Sequence, residues 1–355
     1  MNSRNRDVVL DIARSLCIIE IVGFWHLIDY IKIGAAWEWI IIPGRQLTTC
    51  ALATFTFLSG WFMRKHHISS FRDVKAFYVK RLKRFWIPFF IAATSIYIIT
   101  LLTSSTPWFN SPYYYCLTIL GLAWFVQPMP LTLWYMDMLM LFYLISPAFF
   151  CFRNKWYKIV IAFLFTILAG ALSWKFGLDI RIVYYMPLYF WGGVSEYLIH
   201  YAKKYSILSL LAASIILWLS FQYNPFEIIH LGILLIIGPL FYISCSSILY
   251  KFKIFNKLSA IISYSSMNMY LFHRIIYLLF IICYDKASNG ASMLTIWPMI
   301  LIAFPIVILF SYYMQKGYDK IINLCSDKII GADPDCGPRF PRSPARPSAG
   351  RSRDG

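Results

Sequence analysis

Apolar runs of about twenty residues recur along this chain from residue 8 to residue 314, and such a run, coiled as a helix, crosses a hydrocarbon core of roughly 30 Å. They lie at about 8–31, 46–63, 85–104, 131–151, 157–174, 182–200, 206–222, 227–249, 258–283 and 293–314. Backbone polar groups in lipid must be satisfied within the segment, so runs of this length can only be helices. The sequence therefore predicts an all-α, polytopic membrane bundle of about ten transmembrane helices. Composition agrees, because 59% of the 355 residues are hydrophobic and 14% are charged. A soluble domain carries about 25% charged residues, and the polar side chain here is too scarce to cover a water-facing surface. Disorder, coiled coil, collagen and a disulfide scaffold are excluded. The eight cysteines are scattered without metal-ligand spacing and read as small hydrophobes.

A net charge of +17 in a soluble protein would suggest nucleic acid. In a membrane protein the distribution matters more, because cytoplasmic segments collect Lys and Arg and face anionic lipid. With the N-terminus inside, 26 of the 33 basic residues fall on the cytoplasmic side and 5 on the other, while Arg14 and Arg274 lie within spans. This asymmetry predicts N-in and C-in topology, and a multi-pass protein of the inner (plasma) membrane that engages the lipid bilayer and no nucleic acid. The first run carries Asp11, Arg14, Glu20 and His26 and is too long for a signal peptide's core, so it reads as a working helix. Segment 112–130 is apolar but bounded by prolines and is expected to be re-entrant or to lie at the outer interface. After residue 330 the composition breaks: 17 of the last 25 residues are Gly, Ala, Pro or Arg. The chain is thus expected to divide into a transmembrane domain, 1–330, and a disordered, non-native tail, 331–355.

Ionisable residues inside spans are expensive and usually face a bundle interior or a water-filled cavity. Arg14 and His26 are twelve residues apart, about 18 Å along one helix, which sets a cation near the cytoplasm and a titratable base far across the membrane. His273 lies about 22 Å up the ninth run from Leu258, at a similar depth to His26. Asp137, about 9 Å below an outer start at Leu131, joins that level, and Glu196 falls on the inner half of its run. A neutral histidine held by a carboxylate is a standard general base, and Glu20 and Asp137 are the candidate orienters. The plainer readings are that Arg14 snorkels, that His26 is an interfacial residue beside Trp25, and that Asp137 and Glu196 join helices by hydrogen bonds. Arg81 and Arg84, spaced i, i+3 in the basic segment 64–84, share a helical face that suits a polyphosphate, or else attracts anionic headgroups.

Five segments in order carry a family resemblance: LDIARSLCIIEIVGFWHL from residue 10, FLSGW at 57–61, FYVKRLKRFWIP at 77–88, LWYMDMLMLFYLISP at 133–147 and ISYSSMNMYLFH at 262–273. Over residues 7 to 315 the chain resembles the membrane-bound acyltransferase 3 family, which O-acylates surface polysaccharides and related acceptors. The resemblance implies acyl-CoA, usually acetyl-CoA, bound from the cytosol, and a glycan or lipid-linked sugar as acceptor. By this likeness Arg14 and His26 match the family's first-helix Arg and His, Ser59 and Gly60 its Ser-Gly, and Arg81 and Arg84 its basic pair. The expected catalytic set is His26, Arg14, Glu20, Asp137 and His273. Acyl-CoA is expected on Arg14, Ser59, Arg81 and Arg84, with no metal. One departure stands out: the family usually has ten residues between that Arg and His, and this chain has eleven. Eleven helical steps return to within about 20° of the starting face and twelve overshoot by about 120°; a π-bulge, for which Gly23 is a suitable place, would restore register, and without one His26 faces away from Arg14. The competing class is a transporter or flippase of glycan or lipid intermediates. Carriers are usually built from internal repeats, and the two halves of this chain show no convincing self-similarity. A catalytically inactive envelope scaffold is the third reading.

Overall fold

A computed structural model describes residues 7–30, 38–64, 68–103, 111–123, 133–220, 228–287 and 296–330. Helix α1 (Val8–Ile18) runs through a π-helical stretch (Ile19–Trp25) into the short α2 (His26–Ile28), and α3 (Glu38–Met63) follows. A capping box starts α4 (Phe71–Arg81): Ser70 Oγ accepts from Asp73 N at 3.2 Å, and Asp73 Oδ2 accepts from Ser70 N at 2.9 Å. A second π-helical stretch (Leu82–Trp86) joins α4 to α5 (Ile87–Thr103). Next come α6 (Pro112–Ile119), α7 (Leu133–Phe150), α8 (Lys155–Phe176), α9 (Arg181–Val194), α10 (Tyr197–Lys204) and α11 (Ser206–Ser220). The described chain closes with α12 (Ile228–Leu249), α13 (Lys253–Ala287), α14 (Ile296–Pro298), a third π-helical stretch (Met299–Ala303) and α15 (Phe304–Ile330). No strand occurs among the described residues.

Large apolar side chains face outward, while a set of polar and charged ones is buried within the apolar core. Phe163, Leu164, Ile167 and Leu168 of α8 are exposed, while Asp11, Gln46, Thr54, Asp137, His273 and Arg274 are buried. Water would destabilise such a surface, and lipid requires it. Where they are described, the expected runs lie on helices, the run over 182–200 with a break. Among the described residues six stretches are long and apolar enough to cross a membrane: Phe71–Leu102, Leu133–Phe150, Lys155–Phe176, His230–Leu249, Lys253–Tyr284 and Met299–Ile322. A seventh arises if α10 and α11, bent by 103°, form one span. The first helix carries three charged residues, and α9 has only 14 residues.

The run expected as one helix over 182–200 is broken. Ser195 leaves helical geometry (φ −90°, ψ 105°), so α9 stops at Val194 and the chain restarts as α10. Glu196 sits in this break, exposed, and not on the inner half of a helix, and it pairs with Arg64 at 2.8 Å. Segment 112–130 is described as far as residue 123. There α6 folds back along α5: Tyr115 stacks on Tyr97 at 4.5 Å and Trp86 Nε1 donates to Ile119 O at 2.9 Å. A Schellman motif ends it, with Gly121 at φ +71°, Gly121 N bonding Thr118 O at 2.9 Å and Leu122 N bonding Leu117 O at 2.8 Å.

Glycines let the inner helices meet at backbone distance. A Cβ on Gly60 of α3 would lie 1.8 Å from Tyr189 O of α9, and one on Gly192 would lie 2.0 Å from Phe57 O. The chain divides into Met1–Gln315 and a unit from Lys316 to Gly355, of which the end of α15 is described. The expected tail, 331–355, lies outside the described residues.

Candidate functional site

The site is built on a seam between the first helix and α13, which run parallel. Ser263 Oγ donates to Asp11 Oδ1 at 2.8 Å, and Arg14 Nη2 donates to Ser266 Oγ at 3.0 Å. Further along, Tyr277 OH donates to Val22 O at 2.9 Å, and Arg274 Nη2 meets Asp29 Oδ2 at 2.9 Å. Small hydroxylated residues allow this approach: Ser259, Ser263 and Ser266 recur at i, i+4 and i+7 on α13, one face of a helix. Helix α3 runs antiparallel on the other flank, with Phe62 at 5.8 Å from the Arg14 guanidinium and Thr48 near Glu20.

The extra residue between Arg14 and His26 is absorbed where it was expected to be. The π-helical stretch Ile19–Trp25 contains Gly23, whose added Cβ would lie 2.6 Å from the Phe304 ring, just past the third π-helical stretch. A π turn takes in one more residue without turning the face. His26 follows directly and stacks on His273, with ring centroids 4.8 Å apart and planes 6° from parallel. Two histidines 247 residues apart in sequence thus occupy one level, as their depths suggested.

The two imidazoles differ in their hydrogen bonds. His273 is fully buried, and its Nδ1 lies 2.8 Å from Tyr270 O and 3.1 Å from Met269 O. A carbonyl only accepts, so Nδ1 carries the proton and Nε2 keeps a lone pair. His26 is half-buried, and its buried Nδ1, like His273 Nε2, has no hydrogen-bond partner. Tyr270 stands 6.1 Å from His26 and 6.0 Å from His273, and Tyr135 stands 5.6 Å from Tyr270.

Neither carboxylate expected to orient a histidine does so. Glu20 accepts from Thr48 Oγ1 at 3.5 Å and faces α3, because six residues before His26 a helical position has turned to another face. Asp137 is fully buried, and neither of its oxygens has a hydrogen-bond partner. Tyr135, two residues earlier, is the α7 residue that reaches the site, its hydroxyl 3.1 Å from Thr56 Oγ1, and a two-residue step turns Asp137 about 200° away. Backbone carbonyls orient His273 in their place.

The basic pair is also divided. The π-helical stretch Leu82–Trp86 follows Arg81 directly, and the two arginines differ in burial. Arg81 is half-buried between Phe77 and Tyr143, its guanidinium 5.4 and 5.2 Å from the two rings, whereas Arg84 is exposed. Ser59 Oγ donates to Phe55 O at 2.8 Å within its own helix, and Gly60 serves the crossing with α9. At this end Asp7 pairs with Lys203 at 2.7 Å. No group of three His, Cys, Asp or Glu able to hold a metal occurs among the described residues.

The sequence reading missed Tyr135, Tyr270 and the Arg274–Asp29 pair. Spacing could have found two of them: Tyr270 precedes His273 by three residues and Asp29 follows His26 by three, one helical turn in each case. No curated protein and no solved structure matches the chain. A family model described as an acyltransferase domain matches residues 7–316, which takes in the seam, both histidines and all three π-helical stretches. The chain belongs to the acyltransferase 3 family and is a membrane acyltransferase.

Proposed function

We propose that the protein moves an acyl group, acetyl by family default, from cytosolic acyl-CoA to a hydroxyl of a cell-surface or lipid-linked glycan, from a position in the plasma membrane with ten spans and both termini inside. The observation that carries this reading is the stack of His26 on His273 of α13, His26 lying on the same helix as Arg14 and about 18 Å from it along the helix axis. The pantetheine arm of CoA is long and thin and matches that distance. Arg14 and Arg81, with Arg84 at the rim, hold the nucleotide phosphates at the basic end, and the thioester reaches His26.

His26 takes the proton of the acceptor hydroxyl as its oxygen attacks the thioester carbonyl carbon. The carbon–sulfur bond then breaks, and the CoA thiolate receives the proton from the imidazolium. His273, fixed by two carbonyls, sets the plane of the His26 ring. Burial away from water favours transfer over hydrolysis. Thiol release from acetyl-CoA in proteoliposomes tests the reading. His26→Ala is expected to lower turnover at least a hundredfold and His273→Ala about tenfold. Unchanged turnover in His26→Ala removes the proposal.

A further inference from the structure

We propose that Tyr277 is a positioning residue for the transfer: its hydroxyl holds the backbone carbonyl that the π-helical stretch passes over, and so keeps His26 in the register that stacks it on His273. This deepens the transferase reading above and rests on it. The hydrogen-bond pattern leading into His26 carries the inference. In an α-helix the His26 amide would bond Val22 O, four residues back. Here it bonds Ile21 O, five residues back, at the end of the π-helical stretch. Val22 O, so passed over, accepts from Tyr277 OH at 2.9 Å. A buried carbonyl needs a donor, and inside a membrane a neighbouring helix can supply one where the helical ladder is interrupted.

Helix α13 brings this donor to the histidine pair. Tyr277 follows His273 by four residues, so the two lie on one face. It is fully buried, with its ring 5.8 Å from the His273 ring and edge-on to it. Arg274, also buried, holds the other side of His26 through Asp29, with Nη2 donating to Asp29 Oδ2 at 2.9 Å. Val22 precedes His26 by four residues and Asp29 follows it by three. The helix that carries His273 therefore holds the first helix one turn before His26 and one turn after it.

Removing the Tyr277 hydroxyl leaves Val22 O to compete for the His26 amide. When the amide returns to it, the stretch reverts toward α geometry and the imidazole turns off the stack. A chain without the extra residue has no such weakness. With Gly23 deleted, Leu27 becomes the fourth residue after Val22, and its amide satisfies Val22 O within an unbroken ladder. The Tyr277 hydroxyl then has nothing left to hold.

The test measures thiol release from acetyl-CoA by the full chain in proteoliposomes, in wild type, Tyr277→Phe, the Gly23 deletion and the two changes combined. Tyr277→Phe is expected to lower kcat about tenfold and to leave the KM for acetyl-CoA within about twofold, because the ring is displaced while the basic end is untouched. In the Gly23 deletion the same substitution is expected to lower kcat less than about twofold. A purely structural hydroxyl would cost the same in both backgrounds. Tyr242→Phe removes a like bond elsewhere, from Tyr242 OH of α12 to Leu47 O of α3 at 3.3 Å, and is expected to keep kcat within about twofold. The proposal is overturned if Tyr277→Phe keeps the wild-type kcat, if its loss lies in KM, if the loss is equal in both backgrounds, or if Tyr242→Phe loses as much. Should the deletion itself show no turnover, the kcat of Tyr277→Phe against that of Tyr242→Phe decides by the same criterion. Absence of donor turnover in the wild type overturns the transferase reading itself, a result distinct from the others.

Discussion

The π-helical stretch Ile19–Trp25 makes a claim about register that chain-length variants can test. Inserting one alanine after Ile18 turns everything beyond it by about 100° and advances it by about 1.5 Å. An imidazole about 6 Å from the helix axis then moves by about 9 Å, far more than the 4.8 Å that separates the two histidine rings. A misplacement of about 1 Å can cost a hundredfold in rate, so turnover should fall beyond detection. Deleting Gly23 does the opposite. It removes the extra residue, leaves ten residues between Arg14 and the histidine, and lets an unbroken α-helix bring both within about 20° of one face. This shorter chain should keep at least about a tenth of wild-type turnover, because the stack is retained and only the packing on Phe304 changes. Thiol release from acetyl-CoA in proteoliposomes reads both variants, with size-exclusion profiles in detergent as the check on folding. If the deletion is as inactive as the insertion while both remain monodisperse, or if the insertion is active, the register argument is wrong.

Three further outcomes are expected. Gly60→Ala places a methyl 1.8 Å from Tyr189 O, a backbone atom that cannot rotate away, and should cost at least about 3 kcal/mol; Gly232→Ala meets nothing within 4 Å and should be neutral or stabilising by up to about 1 kcal/mol, both read by thermal unfolding in detergent. Arg81→Ala and Arg84→Ala should both raise the KM for acetyl-CoA, the half-buried Arg81 more, and only the effect of exposed Arg84 should fade at high salt. Asp29→Asn strips the buried Arg274 of its carboxylate and should cost about 3 kcal/mol, while Glu196→Gln in the exposed pair with Arg64 should cost less than about 1 kcal/mol by the same measurement.

Apolar run length gave the helices away, because lipid leaves long runs no other structure. The depth of His26 and His273 was equally legible, since rise per residue converts position into height when both helices start at the same end. Counting residues between Arg14 and His26 left two outcomes, a π turn or a histidine facing away, and the chain takes the first. Facing was harder to read. Glu20 and Asp137 lie at suitable heights, but height says nothing about azimuth: Glu20 turns toward Thr48, and neither oxygen of Asp137 meets a hydrogen-bond partner. Arg81 and Arg84 illustrate the same limit from another side: their spacing says nothing of the packing that half-buries Arg81 against Phe77 and Tyr143 and leaves Arg84 exposed. Ser195 ends α9 two residues after the Gly192–Gly193 pair, a helix-weakening signal that a reading by apolar run length passes over.

In the proposed reaction His26 acts in chemistry and not in donor binding. The direct measurement is CoA affinity and acetyl-CoA turnover on the same preparation of His26→Ala, beside the wild type. The expected result is a CoA Kd within about threefold of wild type and turnover lowered at least about a hundredfold, the loss that follows removal of a general base. Wild-type turnover in His26→Ala, or a loss of turnover wholly explained by lost CoA binding, would contradict it.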